Sequence, residues 1–168
     1  LTGLFIDRGP TVQNRSKTGR VEVLSDRDYR VEYWCPIAVC VNRLSASASG
    51  IFAGAIQDYG RGLVIGTQTF GKGTVQTLQP LLRGQLKMTQ AKFYRISGES
   101  TQHRGIIPDI AYPIDYDPET IGESTLDRPL CLSLIGTPKS LKFCNGQLQL
   151  GQQCCKQLLL ELDVCITV

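Results

Sequence analysis

The sequence contains a single histidine, His103, and no run of 18 apolar residues. The histidine lies in a polar stretch, Ser-Thr-Gln-His-Arg, which is typical of a surface loop, so a serine–histidine catalytic pair has little support. The lack of a long apolar run leaves no candidate for a membrane-spanning helix in these 168 residues.

The chain also has no initiator methionine and no signal peptide at its start, Leu-Thr-Gly-Leu-Phe-Ile. We therefore expect a fragment, with any targeting segment upstream of Leu1. The chain also has no strong excess of positive or negative charge: 18 basic residues are interleaved with 15 acidic ones, for a net charge of +3. This balance does not favour nucleic acid or an anionic membrane as a partner.

Cysteine is plentiful, but its pattern is not that of a metal or disulfide framework. The chain has seven cysteines, with no C-x-x-C pair and no histidine near them, and the odd number argues against a closed set of disulfides. Five of the seven lie in the last 38 residues. We expect no metal and no cofactor.

Apolar patterning predicts a layered α/β domain. Residues 37–41 (Ile-Ala-Val-Cys-Val) and 63–65 (Leu-Val-Ile) are continuous apolar runs of strand length, which predict strands buried on both faces. Between them, apolar residues recur at helical spacing until Gly60 predicts a stop. Residues 74–94 are β-like, with a turn at 80–84.

Other stretches lie outside this pattern. The β-prone residues 3–6 and 20–24 favour a hairpin or surface excursion before the first buried strand. Residues 109–128 carry several prolines and aspartates, which indicate an extended linker or arm. The composition then changes, because all eleven arginines precede Leu130.

Ser47 lies where the first buried strand turns into the helix, between two alanines. Such a turn exposes the serine at the end of the sheet and aims the first helical N–H groups, with the positive end of the helix dipole, at the same point. An oxyanion would be stabilised there. Taken alone, this segment favours the simpler interpretation that Ser45, Ser47 and Ser49 are helix N-cap candidates.

A serine nucleophile needs a base, and the available alternative to histidine is lysine, which can serve where burial lowers the pKa of an ammonium group. Lys72 stands between two glycines in an otherwise uncharged loop after a buried strand. Flanking glycines let the backbone pass close to its neighbours and bring the amine into a packed site. A solvated loop lysine remains an alternative interpretation of this motif.

The same loop nearly matches a phosphate-binding loop. Residues 66–73 (Gly-Thr-Gln-Thr-Phe-Gly-Lys-Gly) follow a strand and differ from G-x-x-x-x-G-K-[ST] at the last position. Gly73 has no hydroxyl to bind magnesium, and the following residues are a poor start for the helix that would hold the phosphates. Nucleotide binding is therefore the less favoured interpretation.

Three ordered blocks of the sequence form one pattern. The blocks are residues 45–49 (Ser-Ala-Ser-Ala-Ser), 69–76 (Thr-Phe-Gly-Lys-Gly-Thr-Val-Gln), and 93–100 (Phe-Tyr-Arg-Ile-Ser-Gly-Glu-Ser) with 105–110 (Gly-Ile-Ile-Pro-Asp-Ile). Lys72 follows Ser47 by 25 residues. The blocks and this spacing resemble the signature of the C-terminal processing, or tail-specific, serine proteases. The similarity covers about residues 1–130 and is nearest to the bacterial periplasmic, Prc-like branch.

The resemblance implies a ClpP/crotonase-like α/β core, incomplete at the N-terminus, and a role for each matching residue. Ser47 would attack the scissile carbonyl, Lys72 would take its proton, and Gln76 would orient the lysine amine. The backbone N–H of Ala48 would supply one oxyanion donor. Asp58 matches an acidic position that is linked to activity in this branch, although a surface role is an open alternative.

The chain departs from the family in three places. Gly50 stands where the family usually has a glutamate, so we expect a weaker helix start. The family's second oxyanion donor and its PDZ domain lie upstream of Leu1, so we expect little peptide hydrolysis by this chain alone. Residues 131–168 show no resemblance, and a reading-frame slip is the simplest hypothesis for them. We therefore divide the chain into a partial protease core (1–112), a linker or arm (113–130) and an unassigned tail (131–168).

The function that the resemblance implies is that of a Ser–Lys endopeptidase that processes or degrades proteins from apolar C-termini in the periplasm. Association with the inner membrane is a further expectation. A lipoprotein adaptor would be a partner in some cases, and neither nucleic acid nor a transmembrane segment is expected. A peptide-binding remnant without activity is the alternative from a different functional class.

Overall fold

The computed structural model describes residues 1–114, 117–136 and 164–167. These residues form two four-stranded sheets, one antiparallel and one parallel, with one α-helix and three short 3-10 helices. The elements are β1 (Gly9–Ser16), β2 (Val21–Asp26), β3 (Ile37–Val41), α1 (Ala48–Asp58), β4 (Leu63–Gly66), β5 (Thr74–Pro80), β6 (Gln85–Tyr94), β7 (Ile110–Ala111) and β8 (Val164–Thr167), with 3-10 helices at Thr2–Leu4, Pro118–Thr120 and Glu123–Thr125.

The parallel sheet has the strand order β7-β4-β3-β8. Its two central strands are the two apolar runs of the sequence, and Ala38, Val39 and Val64 are fully buried. A strand covered on both faces needs no alternation of polar and apolar residues, which explains the continuous runs. The predicted buried strands and α/β layering are confirmed.

The helix α1 packs on this sheet and forms the main apolar core with it. The ring of Phe52 lies 5.8 Å from that of Phe5, centroid to centroid. Burying side chains of this size contributes roughly 1.5–3 kcal/mol each. The core cluster consists of Phe5, Ile37, Val39, Val41, Phe52, Ala53, Ile56, Val64 and Ile106.

The helix ends where the sequence predicted. Gly60 has a φ of 60°, a left-handed conformation that glycine adopts readily. Its N–H donates to the carbonyl of Gln57, and the N–H of Arg61 donates to the carbonyl of Ile56. These two bonds form the Schellman arrangement that terminates helices at a glycine.

The antiparallel sheet has the order β2-β1-β6-β5, and much of its surface is exposed. The hairpin of β1 and β2 confirms the strand expected at residues 20–24. The β-prone residues 3–6 are not a strand, however. They begin in the 3-10 helix Thr2–Leu4, and the turn carries Phe5 and Ile6 into the interior, where apolar burial overrides the local β preference.

The segment that follows β7 returns to the body of the protein. Gly122 and Glu123 are buried, and the carbonyl of Ile121 accepts a hydrogen bond from the Arg43 side chain. Beyond them, β8 pairs in parallel with β3. Most of the unassigned tail, residues 137–163 and 168, lies outside the described residues, and the reading-frame slip stays a prediction. Within the described ranges, no helix has the length and apolar character needed to cross a bilayer.

Candidate active site

Ser47 occupies a strained turn between β3 and α1. Its φ of 57° and ψ of −110° lie outside the helical and extended regions, a conformation that non-glycine residues adopt at an energetic cost and that is concentrated at functional sites. Although Ser47 is the N-cap residue of α1, its side chain makes no capping hydrogen bond. The half-buried hydroxyl is therefore not used by the helix.

The neighbouring Ser45 has a structural role instead. Its hydroxyl accepts a hydrogen bond from the backbone N–H of Asn42 at 3.1 Å, and its carbonyl accepts one from Phe70 at 3.0 Å. These contacts close the turn after β3 and tie it to the loop after β4. The structure thus separates the functions of the serines that the sequence left as equivalent.

Lys72 is bracketed by glycines because neighbouring backbone leaves no room for side chains there. Gly71 has a φ of 89°, and a Cβ on it would lie 2.5 Å from the carbonyl oxygen of His103. A Cβ on Gly73 would lie 2.7 Å from the backbone nitrogen of Gln102. The close approach expected from the Gly-Lys-Gly motif is confirmed.

The loops that carry Ser47 and Lys72 meet at one edge of the parallel sheet, because carboxyl ends of parallel strands lie together. The N–H of Phe70 donates to the carbonyl of Ser45, so the loops are joined two residues from each candidate. Arg43 adds a second link, from Nη1 to the carbonyl of Thr69 at 2.8 Å. Among the described residues, no hydrogen bond joins the Ser47 hydroxyl to the Lys72 amine.

Gln76 lies on β5, opposite Thr89 of β6, and its side chain is exposed. The pairing of the two strands shifts register between Val75 and Gln76. Such irregularities reorient side chains and are frequent beside active sites. Gln76 makes no hydrogen bond to Lys72 within the described part of the chain, so its role as an orienting residue stays a prediction.

Asp58 lies at the opposite end of α1, about 16 Å along the helix axis from Ser47. Its carboxylate is 7% exposed and forms an ion pair with Arg95. Burial raises the pKa of Asp58 above its ordinary value, and the bonds from Arg95 and the Ser97 backbone only partly oppose this. The structure therefore does not bring Asp58 to the nucleophile.

The third sequence block supports the first two. The Asp109 carboxylate accepts a hydrogen bond from the N–H of Val64 at 2.8 Å and another from Gln57 at 2.8 Å. Its own N–H donates to the Val64 carbonyl. Upstream in the block, Ile106 donates to the hydroxyl of Thr69 at 2.8 Å. The block thus fixes both the strand and the loop that lead to Lys72.

The sequence did not predict that several polar residues beside the candidate site are buried or half-buried. Gln102 and Glu123 are buried and hydrogen-bonded to each other, although 21 residues separate them. Arg43 is also buried and holds two loops together. His103, expected at the surface, is half-buried beside Gly71, because its backbone N–H donates to the Gly71 carbonyl. Polar residues of this kind predict surface loops, and no local sequence motif predicts that two of them will pair in the interior.

The phosphate-loop alternative loses its structural basis. After Gly73 the chain enters β5 and not a helix. A phosphate-binding loop needs a helix N-terminus at this point to direct N–H groups at the anion.

Comparison with known proteins agrees with the geometry. Residues 1–112 match the profile of peptidase family S41. A tail-specific protease of Haemophilus influenzae is 42% identical over 154 residues, covering 86% of this chain and 22% of that protein. A carboxy-terminal-processing protease of Bartonella bacilliformis is 43% identical over 137 residues, covering 75% of this chain and 31% of that protein.

Among solved structures, a photosystem II D1 C-terminal processing protease matches with a TM-score of 0.60 and 34% identity, covering 71% of this chain and 30% of that one. The chain belongs to peptidase family S41. The resemblance to C-terminal processing proteases and the α/β protease core are thereby confirmed. The chain spans less than a third of the length of each of these relatives.

Proposed function

We propose that this chain carries the nucleophile and base of a serine endopeptidase that processes or degrades proteins from apolar C-termini. The observation that carries the proposal is the strained turn at Ser47, which places an uncommitted hydroxyl at the N-terminus of α1. The glycine-bracketed Lys72 lies in the loop tied to this turn. The names of the tail-specific and carboxy-terminal-processing relatives support the substrate class.

In the proposed mechanism, Ser47 Oγ attacks the scissile carbonyl carbon while the Lys72 amine takes the hydroxyl proton. The tetrahedral oxyanion accepts a hydrogen bond from the N–H of Ala48, the first residue of α1, where the helix dipole also favours negative charge. Lys72 then returns the proton to the leaving amine, and water hydrolyses the acyl-enzyme. Gln76 orients the lysine amine.

Asp58 contributes indirectly in this proposal. Its distance along α1 and its ion pair with Arg95 support a positioning role, because the pair fixes the end of the helix whose other end carries Ser47. A shift of the helix along its axis would displace the nucleophile, and a misplacement of about 1 Å can lower a rate about 100-fold.

The setting of the enzyme is part of the same proposal. We place it outside the cytoplasm, in the periplasm and beside the inner membrane, with protein or peptide substrates that end in apolar residues. A lipoprotein adaptor is proposed as a delivery partner. Fractionation of cells that express the full-length protein tests the location, and recovery in the cytoplasmic fraction would contradict it.

Covalent labelling tests the chemistry. The full-length protein is treated with a fluorophosphonate probe, which reacts only with an activated serine, and cleavage of a peptide with an apolar C-terminus is measured in parallel. We expect Ser47→Ala to abolish labelling and Lys72→Met to lower the labelling rate and kcat by at least about 1,000-fold, as removal of a serine protease base does.

Two control variants match these changes. Ser49→Ala removes a serine from the first turn of α1, and Lys87→Met removes an exposed lysine of β6, so both should retain labelling and cleavage. A folded wild-type protein that binds the peptide but is not labelled would replace this proposal with the inactive peptide-binding remnant. Gly50, which stands in place of the family's usual acid, is the feature that favours that outcome.

A further inference from the structure

We infer that Gln102 and Glu123 are positioning residues for Lys72 and that the segment around Glu123 is a structural part of the catalytic site. The inference rests on the proposed function of Lys72 as the base. It assigns a purpose to two buried polar side chains that lie in stretches with the composition of loops. Two hydrogen bonds in series link Glu123, through Gln102, to Gly73, the residue after Lys72.

The first bond fixes the direction of the Gln102 amide. Gln102 is fully buried, and its Nε2 donates to the Glu123 carboxylate at 3.0 Å. The Glu123 oxygen accepts this bond, and the NH₂ group is the donor of an amide, so Gln102 turns its NH₂ group toward Glu123. The amide oxygen is thereby directed to the opposite side.

The second bond uses that oxygen. Gln102 Oε1 accepts a hydrogen bond from the N–H of Gly73, the residue after Lys72, at 2.9 Å. On the other side of the lysine, the carbonyl of Gly71 accepts from the N–H of His103 at 2.8 Å. The residues on both sides of Lys72 are therefore hydrogen-bonded, which restricts the position of the Lys72 Cα atom.

Glu123 also holds the loop through its backbone. Its N–H donates to the carbonyl of Phe70 at 2.9 Å, so Glu123 contacts the loop two residues before Lys72 and, through Gln102, the residue directly after it. Arg43 fastens the same segment by donating to the carbonyls of Ile121 and Thr69. The segment around Glu123 is thus attached to the Lys72 loop on both sides of the lysine, and these bonds restrict movement of the loop.

The chemistry of the pair favours positioning over simple stabilisation. Burying a carboxylate is costly, and replacing such polar groups with apolar residues is often neutral or stabilising. An apolar pair could not replace the directional hydrogen bonds, because it has no amide to orient and no oxygen to accept a hydrogen bond from the Gly73 N–H. Proton transfer requires a base held within narrow limits, and these bonds restrict the backbone on both sides of Lys72.

A side-chain exchange in the full-length protein tests the inference. Gln102→Glu sets two carboxylates against each other, and we expect kcat and the fluorophosphonate labelling rate to fall about 100-fold, with KM within about twofold, as a displaced catalytic group predicts. In the double variant Gln102→Glu/Glu123→Gln, the new amide donates to the new carboxylate, which still accepts from Gly73. We expect recovery to within about fivefold of wild type.

Controls and a second readout keep the outcomes distinct. Glu119→Ala removes an exposed carboxylate from the same segment and should leave all rates unchanged. Hydrogen–deuterium exchange over residues 71–74 should rise in Gln102→Glu and return to the wild-type rate in the double variant, whether or not the protein is active. Melting temperatures identify any variant that fails to fold.

The proposed function fails if folded wild-type protein shows no labelling at Ser47. The positioning role is overturned if the wild type is labelled and folded Gln102→Glu reacts at the wild-type rate. It is also overturned if the folded double variant is as slow as the single one, or if exchange over residues 71–74 is the same in all variants. Where the single variant does not fold, the double variant decides the question.

Discussion

The two sheets of this molecule place very different demands on their residues. In the parallel sheet, Ala38 and Val39 are fully buried, and Gly66 passes so close to β3 that a Cβ would overlap the carbonyl oxygen of Val41. In the antiparallel sheet, most of β6 is exposed, and Leu82 in the hairpin turn before it is fully exposed. Ser47 and Lys72 belong to the constrained side, since Ser47 follows β3 and the loop of Lys72 follows β4, whereas Gln76 lies on β5 of the antiparallel sheet.

The largest effect should separate two glycines, one in each region. Gly66→Ala forces a side chain into the Val41 carbonyl at a φ of 130°, and we expect it to lower the free energy of unfolding by about 5 kcal/mol, as severe backbone strain does. Gly84→Ala, in the hairpin turn, has a φ of 83° but open space, and should lower it by about 1 kcal/mol. Urea unfolding followed by circular dichroism measures both, and equal losses would refute the contrast.

The next effect concerns the ion pair that joins the regions. Arg95 directly follows β6 and reaches Asp58 on the helix that covers the parallel sheet. Arg95→Met leaves a buried carboxylate without this partner, and we expect a loss of about 3 kcal/mol at pH 7. Asp58→Asn removes the charge that burial already disfavours, so its loss should be about 1 kcal/mol. Urea unfolding of both variants tests the order, and a larger loss in Asp58→Asn would contradict it.

The pH dependence of that pair has a defined sign. Because the pKa of Asp58 is raised in the folded protein, the folded state binds the proton more tightly than the unfolded state. The contribution of Asp58 protonation to stability is therefore fully present below the ordinary pKa of 3.8 and is lost as the pH rises through the pKa of Asp58 in the folded protein. Stability measured from pH 3.5 upward should fall more in wild type than in Asp58→Asn across this window.

The smallest effect concerns two glycines of α1, because the space for a side chain differs between them. A Cβ at Gly50 would meet only Ile106, at 4.0 Å, so Gly50→Ala should raise the free energy of unfolding by about 0.5 kcal/mol through helix propensity. A Cβ at Gly54 would lie 3.1 Å from Ile106 and 3.6 Å from Arg95, so Gly54→Ala should show no gain. Thermal unfolding resolves the difference, and a gain at Gly54 alone would reverse the interpretation.

The sequence was most informative where local signals and burial agree. The apolar runs that became β3 and β4 are too short and too apolar to be anything but buried strands, and Gly60 ends α1 through its own backbone conformation. Residues 3–6 misled because their β preference is local, whereas their burial against α1 is decided by distant partners.

The candidate site could be predicted only in part, for a related reason. Ser47 and Lys72 lie in motifs that are contiguous in sequence, so both could be predicted as catalytic candidates. The buried polar pairs of the structure join residues that are distant in sequence: Arg95 lies 37 residues after Asp58, and Glu123 lies 21 residues after Gln102. A buried polar side chain has the same letter as an exposed one, and only the tertiary fold distinguishes them.

The clamp between Asp109 and Val64 has a consequence for the behaviour of the protein in solution. β7 contains only two residues, between Pro108 and Pro113, and Asp109 extends its pairing with β4 by using a side chain as well as the backbone. Prolines have no N–H donor, and short, interrupted edges do not accept a strand from another molecule. We therefore expect this edge of the parallel sheet to resist the edge-to-edge association that leads to aggregation.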